Sequence, residues 1–253
     1  MKRILVIGNL LMVVLLGCLS FSSDESTRSN LTENKGFAVI ELYTSEGCSS
    51  CPSADNLLKQ IREEYKNQEV YVLAYHVDYW NRLGWKDKFS DHQFTERQSA
   101  YANNFKNSSV YTPQAIVNGK DEMVGSAAGE LKNSISKFLK SSNELQFSSK
   151  VEEVNSQSLK LSFDLPINAQ NKDLVVNLIE KDISTNVKAG ENGGRVLAHA
   201  NVVRAFQRFI IESTKKEIKI EFPIDFKKEN LEIIAFVQEK NQGAILGVAR
   251  TKL

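Results

Sequence analysis

The sequence predicts an α/β fold that gives way, near residue 143, to a region built from strands alone. An apolar run at residues 37–43 is followed by a segment with apolar residues at helical spacing and then by a second apolar run at 69–77. Short links join these three segments, which predicts a right-handed parallel βαβ unit. From residue 143 onward, strand-like runs alternate with turn residues and no convincing helix occurs.

The first helix is predicted directly after residue 50. Its apolar positions follow the i, i+3, i+4, i+7 spacing of a helix with one buried face. They are Ala54, Leu57, Leu58, Ile61 and Tyr65.

An aromatic, irregular stretch follows the second strand and is expected to form an insertion over residues 80–105. Within it, a helix is predicted from about Ser90 to Asn103, with Gln93 as the partner in a capping box. Asn118-Gly119 predicts a hairpin turn between two short strands. Leu131, Ile135 and Phe138 then mark a closing helix.

The strand region predicts a second, sandwich-like all-β domain over residues 143–253. Its strand-like runs cover residues 146–152, 158–165, 174–180, 196–211, 217–222, 231–238 and 244–251. The glycine-rich segment 190–194 is interpreted as a turn between two of these strands, because it lacks the lysine and the following helix of a phosphate-binding loop. The preceding α/β domain is assigned to residues 36–142.

Composition and charge narrow the function classes. The chain has 253 residues, of which 42% are hydrophobic and 25% charged, with a formal net charge of +1. Removing residues 1–17 takes away two basic residues and no acidic ones, which leaves 30 basic against 31 acidic residues. Such a balance gives no electrostatic attraction to nucleic acid or to anionic lipid.

The first residues predict a processing segment. Lys2 and Arg3 precede an apolar run at 4–16 that is short for a membrane span. It ends in Leu15-Leu16-Gly17-Cys18, which resembles the lipobox of bacterial lipoproteins. That resemblance implies a signal peptide at 1–17, lipidation of Cys18 and membrane contact through the lipid alone. An ordinary secretory signal is the alternative. Residues 18–35 are rich in Ser, Thr and Asn and suit a flexible tether.

The most informative motif is Cys48-Ser49-Ser50-Cys51-Pro52, which lies between the first strand and the first helix. A helix N-terminus stabilises a thiolate, so the motif suits thiol–disulfide exchange with Cys48 as the more exposed, nucleophilic thiol. Cys51 would then resolve the mixed disulfide. A structural disulfide is the alternative, although closing so short a loop removes little chain entropy.

Together, strand–Cys-x-x-Cys–helix, a second parallel strand and Thr112-Pro113 before a hairpin resemble the thioredoxin fold. The resemblance places Pro113 at that family's cis-proline position beside the dithiol. Still more similar is a group of secreted bacterial thioredoxin-like proteins of a domain family of unknown function. The segments that resemble this group are 41–52, 76–80, 111–114, 190–195 and 201–204.

Other candidate site residues follow from position. Glu41 lies seven positions before Cys48, and the resemblance to thioredoxins implies a buried acid there that moves the proton of the resolving thiol. The alternative is that its side chain faces solvent or a buried partner. His76 ends a buried strand and is a candidate modulator or metal ligand. Trp80 and Tyr111 are candidates for a substrate groove, and so is Trp85. For the two tryptophans the alternative is that they pack in the small core of the insertion. His92 and His199 are interpreted as structural or exposed.

We therefore expect an envelope thiol–disulfide oxidoreductase without a cofactor, acting on cysteine-containing envelope proteins and not on nucleic acid. One alternative is a copper metallochaperone in which Cys48, Cys51 and His76 bind Cu(I). The copper-delivery families usually separate their cysteines by three residues, whereas two separate them here. A non-catalytic interaction module is the second alternative.

Overall fold

Eight strands of the described residues form one mixed sheet, and three form a second sheet. The structure is a computed structural model that describes residues 36–105 and 109–253. The predicted signal peptide, Cys18 and the tether lie outside these residues. The helices are α1 (Cys51–Glu64), α2 (His92–Asn104) and α3 (Ala128–Leu139). The strands are β1 (Ala38–Thr44), β2 (Val70–His76), β3 (Gln114–Val117), β4 (Asp121–Val124), β5 (Ser148–Val154), β6 (Ser158–Asp164), β7 (Asp173–Asn186), β8 (Val196–Ile210), β9 (Lys215–Glu221), β10 (Leu231–Gln238) and β11 (Ile245–Lys252).

The predicted βαβ unit is confirmed. Strands β1 and β2 pair in parallel, with Ala38 opposite Val70 and Thr44 opposite His76. Strand β3 pairs antiparallel with the other edge of β1. The predicted hairpin between β3 and β4 forms around Asn118-Gly119, both of which have positive φ.

Alternating side chains of β1 separate two cores. Ile40 and Leu42 face α1 and α3 and pack with Leu58 and Ile135. The neighbouring positions, such as Tyr43, face α2 and the aromatic core on the other side of the sheet. Successive strand side chains point to opposite faces, so the parity of a position in β1 decides which helix it meets.

The N-cap of helix α2 lies one residue later than the predicted Ser90. Asp91 is its N-cap, and the Asp91 side chain accepts a hydrogen bond from the backbone N–H of Gln93 at 2.9 Å. An aspartate at this position satisfies a free N–H of the first turn directly, so the capping box expected from Ser90 does not form.

The sheet runs across the predicted boundary at residue 142. Its strand order is β11-β10-β7-β8-β2-β1-β3-β4, and all described residues fall within one compact unit. The two halves of the sheet are joined where β2 pairs with β8. This pairing is short, with Ala74 of β2 opposite Val202 of β8. Beside it, Asn201 adopts a φ of 52°, and its amide donates to the carbonyl of Val72 at 2.9 Å.

The separate all-β sandwich expected at 143–253 is therefore corrected. The second sheet, in the order β5-β6-β9, packs on one face of β7 and β10 through residues such as Leu161, Phe163 and Ile233. The opposite face of β7 and β10 packs toward α2 through Val175 and Phe236. One layer of the expected sandwich is thus a continuation of the first sheet, because its strands are apolar on both faces.

None of the helices in the described ranges is long and apolar enough to cross a membrane.

Candidate functional site

Cys48 and Cys51 are joined by a disulfide, with their Cα atoms 5.4 Å apart. Cys51 is the first residue of α1, and Pro52 occupies its first turn, where its missing N–H costs no helical hydrogen bond. Both cysteines are fully buried, whereas Ser49 and Ser50 between them are exposed. The prediction that Cys48 is the more exposed thiol is wrong in this structure, because other segments cover the turn that carries it.

Thr112 and Pro113 lie beside the first turn of α1. The peptide bond between them is cis. A Cβ added to Gly125 would lie 3.1 Å from the Cβ of Pro113 and 3.3 Å from the Cβ of Ala54. The indole N–H of Trp80 donates to the hydroxyl of Thr112 at 2.7 Å. The structure therefore brings Thr112, Pro113 and Trp80 together near the helix start.

A hairpin loop between β7 and β8, residues 187–195, covers the turn that carries Cys48; we call it the cover loop. Asn192 is fully buried, and its amide donates to the carbonyl oxygens of Glu46 and Cys48, at 2.9 Å each. The exposed Glu191 accepts a hydrogen bond from the backbone N–H of Ser49 at 2.9 Å. Two consecutive side chains thus hold three backbone groups around Cys48.

The cover loop was correctly predicted as a turn, but its role at the site was missed. Its hairpin closes where Gly194 donates to the carbonyl of Val187 at 2.9 Å. Asn and Gly in a turn indicate only local geometry. Nothing in those residue types indicates an amide that reaches a carbonyl 144 positions away in sequence.

A buried cluster of acids and histidines flanks the dithiol turn; we call it the acid–histidine cluster. Its members come from five different segments, and each is at most 5% exposed: Glu46, Asp55, His76, Asp87 and His199. His199 lies 3.4 Å from Glu46 and 3.5 Å from Asp55, measured between ring nitrogens and carboxylate oxygens. His76 Nδ1 lies 2.7 Å from Asp87 Oδ2, and the two imidazole rings are 4.9 Å apart.

The charges in the acid–histidine cluster stabilise one another. Burial disfavours the charged ring of His199, but the interactions with Asp55 and Glu46 outweigh burial and raise its pKa to about 10. For Asp87, burial raises the pKa, but the attraction of His76 and hydrogen bonds to the carboxylate outweigh it, so the pKa is lowered. The interpretation of His199 as a structural or exposed residue missed this buried contact with the site.

The acid–histidine cluster is incompletely hydrogen-bonded. Within the described residues, Glu46 Oε1, His76 Nε2 and both ring nitrogens of His199 have no hydrogen-bond partner of good geometry. Over the same residues, no group of three or more His, Cys, Asp or Glu side chains is arranged to hold a metal ion. Cys48, Cys51 and His76, the set named for the alternative copper site, are therefore not among the metal-site arrangements of the described residues.

Glu41 lies elsewhere. It has the parity of Tyr43 in β1, so its side chain points to the α2 face, away from α1 and the dithiol. There Arg97 donates to both of its carboxylate oxygens, at 2.6 and 3.0 Å, and Tyr101 donates at 2.6 Å. The predicted role of Glu41 in moving a thiol proton is corrected, because this carboxylate is committed to a buried ion pair on the other side of the sheet.

Of the groove candidates, Trp80 contacts Thr112 as described. Tyr111 is half-buried, and its hydroxyl donates to Glu122 of β4. Trp85 donates from its indole N–H to Glu46 at 2.8 Å, which ties the insertion to the acid–histidine cluster.

Comparison with known proteins gives one family. A family described as "Protein of unknown function (DUF1223)" matches residues 39–238, a range that spans both parts of the sheet. A crystal structure of a protein from Agrobacterium tumefaciens has a TM-score of 0.64 and 27% identity, and covers 85% of this chain and 93% of its own. A domain of the outer membrane lipoprotein Omp28 from Porphyromonas gingivalis has a TM-score of 0.28 and 20% identity, over 44% of this chain and 88% of its own. No curated protein matches the chain.

Proposed function

This chain belongs to the DUF1223 family of proteins of unknown function, and we propose that it exchanges thiols and disulfides with cysteine-containing proteins of the bacterial cell envelope. Cys48 is the nucleophile and Cys51 the resolving cysteine. The proposal needs no cofactor.

One observation carries the proposal: Cys51, the first residue of α1, is bonded to Cys48 in the turn just before the helix, beyond the carboxyl end of a central parallel strand. The helix N-terminus offers partial positive charge to a thiolate formed there. A cross-link that closes two intervening residues contributes little to stability, so a structural role explains the pair poorly.

The arrangement of the first half supports a thioredoxin-like interpretation. Strands β2, β1, β3 and β4 are adjacent in that order, with β3 and β4 antiparallel to their neighbours. Helices α1 and α3 share one face of this sheet, and α2 lies on the other. Thr112 and Pro113 stand beside α1, where the resemblance expects them.

In the proposed reaction, a partner thiolate attacks Sγ of Cys48, and the Cys48–Cys51 bond breaks. The electron pair leaves on Cys51, which takes up a proton. A second partner thiolate then attacks the partner sulfur of the mixed disulfide and releases Cys48. The partner loses two electrons and two protons and gains a disulfide, and this chain gains both electrons and both protons. The reverse sequence reduces a partner.

The envelope location rests on the sequence. The lipobox-like segment before Cys18 and the tether lie outside the described residues, and we propose that Cys18 carries a lipid that holds the folded unit at the membrane. Outside the cytoplasm, a close cysteine pair is either oxidised or maintained by a dedicated reductant.

A glutathione redox titration of the metal-free protein tests the proposal. The alkylation state of Cys48 and Cys51 is read by mass on their own peptide, so that Cys18 does not contribute. We expect a reversible two-electron transition between about −120 and −270 mV, the range of known exchangers. A disulfide that resists reduction to well below about −300 mV, or a pair that never oxidises, would contradict the proposal.

Trapping of partners tests the assigned roles. Cys51→Ser leaves Cys48 free and lacks the resolving thiol, so it is expected to accumulate mixed disulfides with envelope proteins. Cys48→Ser is the matched control and should trap none. Equal trapping by the two variants would contradict the assignment of Cys48 as nucleophile.

A further inference from the structure

The cover loop is hydrogen-bonded to the turn that carries Cys48, the cysteine that the proposed function requires to be accessible. Cys48 is fully buried, although the two residues after it are exposed. The loop comes from the β7–β8 hairpin, in the part of the chain to which the sequence assigns no chemistry. Its contacts are made to the backbone of the turn, at Glu46, Cys48 and Ser49.

The side-chain amide of Asn192 makes two of these contacts with the backbone of the turn. Both amide hydrogens are used on backbone carbonyls, and its side-chain oxygen accepts from Arg195 at 2.6 Å. A buried amide that donates both hydrogens and accepts at its oxygen holds its partners firmly, since losing these bonds leaves polar groups unpaired. The carbonyl of Cys48 is thereby fixed relative to a loop from a distant strand pair.

Glu191 acts electrostatically on the same turn. Hydrogen bonding from Ser49 lowers the pKa of Glu191, so the carboxylate is ionised at neutral pH. The carboxylate accepts a hydrogen bond from the backbone N–H of Ser49, the residue after Cys48, and so places a negative charge beside that cysteine. Such a charge opposes formation of a thiolate on the adjacent cysteine.

From these contacts we propose that Glu191 and Asn192 are positioning residues that latch the cover loop over Cys48, hold the dithiol in its covered, oxidised state and must disengage before a partner thiolate reaches the sulfur. The proposal rests on the proposed function and adds to it a regulated access step. The occupant that displaces the loop is the cysteine-bearing segment of the partner protein.

The latch predicts which changes make the disulfide easier to reduce. Two glutathione molecules supply two electrons and two protons and leave as one glutathione disulfide, so the reaction can be followed without a partner. Asn192→Ala removes the contacts to both carbonyls, and we expect reduction by glutathione to accelerate at least about tenfold, since exchange rates depend on access to the attacked sulfur. Glu191→Gln keeps the loop's shape, removes the charge, and is expected to give an acceleration of about threefold.

Each variant has a matched control. Asn177 is also fully buried, accepts from Tyr75 at 2.7 Å and donates to the carbonyl of Ile234 at 3.1 Å, on strand β7 within the sheet. Asn177→Ala therefore loses comparable hydrogen bonds without freeing the cover loop. Lys188→Gln changes the charge of the same loop by one unit. Both controls are expected to reduce at the wild-type rate within about twofold.

A second readout separates positioning from folding stability. In the reduced protein, the pH dependence of Cys48 alkylation reports its thiol pKa, which Glu191→Gln is expected to lower and Lys188→Gln to leave in place or raise slightly. Among the described residues, the charged or titratable groups that contact this turn or the loop that holds it are Glu191 and Arg195 of the cover loop and the five members of the acid–histidine cluster. Because Glu191 is exposed, its substitution does not threaten folding even if Asn192→Ala does.

The outcomes are distinguishable. Faster reduction of both variants than of their controls supports the latch. Equal rates in all five proteins, together with a reversible wild-type titration, overturn the latch and leave the proposed function standing. A dithiol that cannot be cycled in the wild type or in any variant overturns both.

Discussion

The two faces of the central sheet both bury charge, but they do so differently. On the α2 face, both carboxylate oxygens of Glu41 accept hydrogen bonds from Arg97 and a tyrosine. On the dithiol side, the acid–histidine cluster joins His199 to Glu46 and Asp55 at 3.4 and 3.5 Å and leaves several polar atoms without partners. Good hydrogen bonds to a charged group are shorter than that.

The difference indicates different roles. A buried carboxylate that accepts hydrogen bonds at both oxygens fixes packing, although Nη1 of Arg97 has no hydrogen-bond partner among the described residues. Under the proposed function, an incompletely bonded cluster beside two cysteines that gain and lose protons is where titration would accompany the chemistry. The comparison therefore assigns the Arg97 pair to stability and the acid–histidine cluster to the site.

The largest expected effect is on the α2 face. Arg97→Met leaves the Glu41 carboxylate buried without its cation, and we expect the free energy of unfolding to fall by about 3–5 kcal/mol. Urea denaturation measures it. The double variant Glu41→Gln/Arg97→Met should recover part of the loss, because no unpaired charge remains. A glutathione reduction rate that changes as strongly as the stability would contradict the assignment of this pair to structure.

The next largest effect is expected for His199→Gln, in the acid–histidine cluster on the dithiol side of the sheet. The folded pKa of about 10 is raised above the ordinary 6.5 of histidine, so the stability it contributes is complete below about pH 6.5 and is lost as pH rises through 10. We expect the variant to be less stable than the wild type by about 2–4 kcal/mol at pH 6, with the gap closing toward pH 10. Urea denaturation across this range measures it, and a gap that widens with pH would show the sign to be wrong.

Two tryptophans provide the smallest test. Trp85→Phe removes the single hydrogen bond that the Glu46 carboxylate accepts among the described residues, and should cost about 1.5–3 kcal/mol because a charged group is left unsatisfied. Trp80→Phe is the matched control, since it loses a bond to the neutral hydroxyl of Thr112 and should cost about 1 kcal/mol. Thermal unfolding compares them, and equal losses would remove the distinction between the cluster and an ordinary polar contact.

Much of the fold could be predicted from local pattern. The βαβ unit, the Asn118-Gly119 hairpin and the closing helix each depend on residues close in sequence, and each formed as expected. The strands after residue 143 were also predicted, although β7 extends to Asn186, well beyond the expected end at 180. Which sheet those strands join was not predictable, because pairing with β2 depends on a junction at Ala74 and Val202 that has no local signature.

The residues of the candidate site likewise fall into two groups, those that short motifs predict and those that depend on contacts between distant segments. Cys48, Cys51, Thr112 and Pro113 were identified from short motifs, and the structure brings them to one helix start. Glu41 was misplaced because a strand's parity relative to its helices is settled only when the sheet is packed. Asn192, Asp55 and His199 were missed because their roles arise from contacts between segments far apart in the chain.

By itself, the sequence determined the secondary structure around the dithiol and the residue types that can exchange a disulfide, since both depend on spacing within a few positions. Only the tertiary structure decided that Cys48 is buried, that Glu41 faces away from it and that a loop from β7 and β8 holds its turn. Burial, charge pairing and hydrogen bonds across 144 positions depend on how separate segments pack, and packing energy is a property of the assembled core.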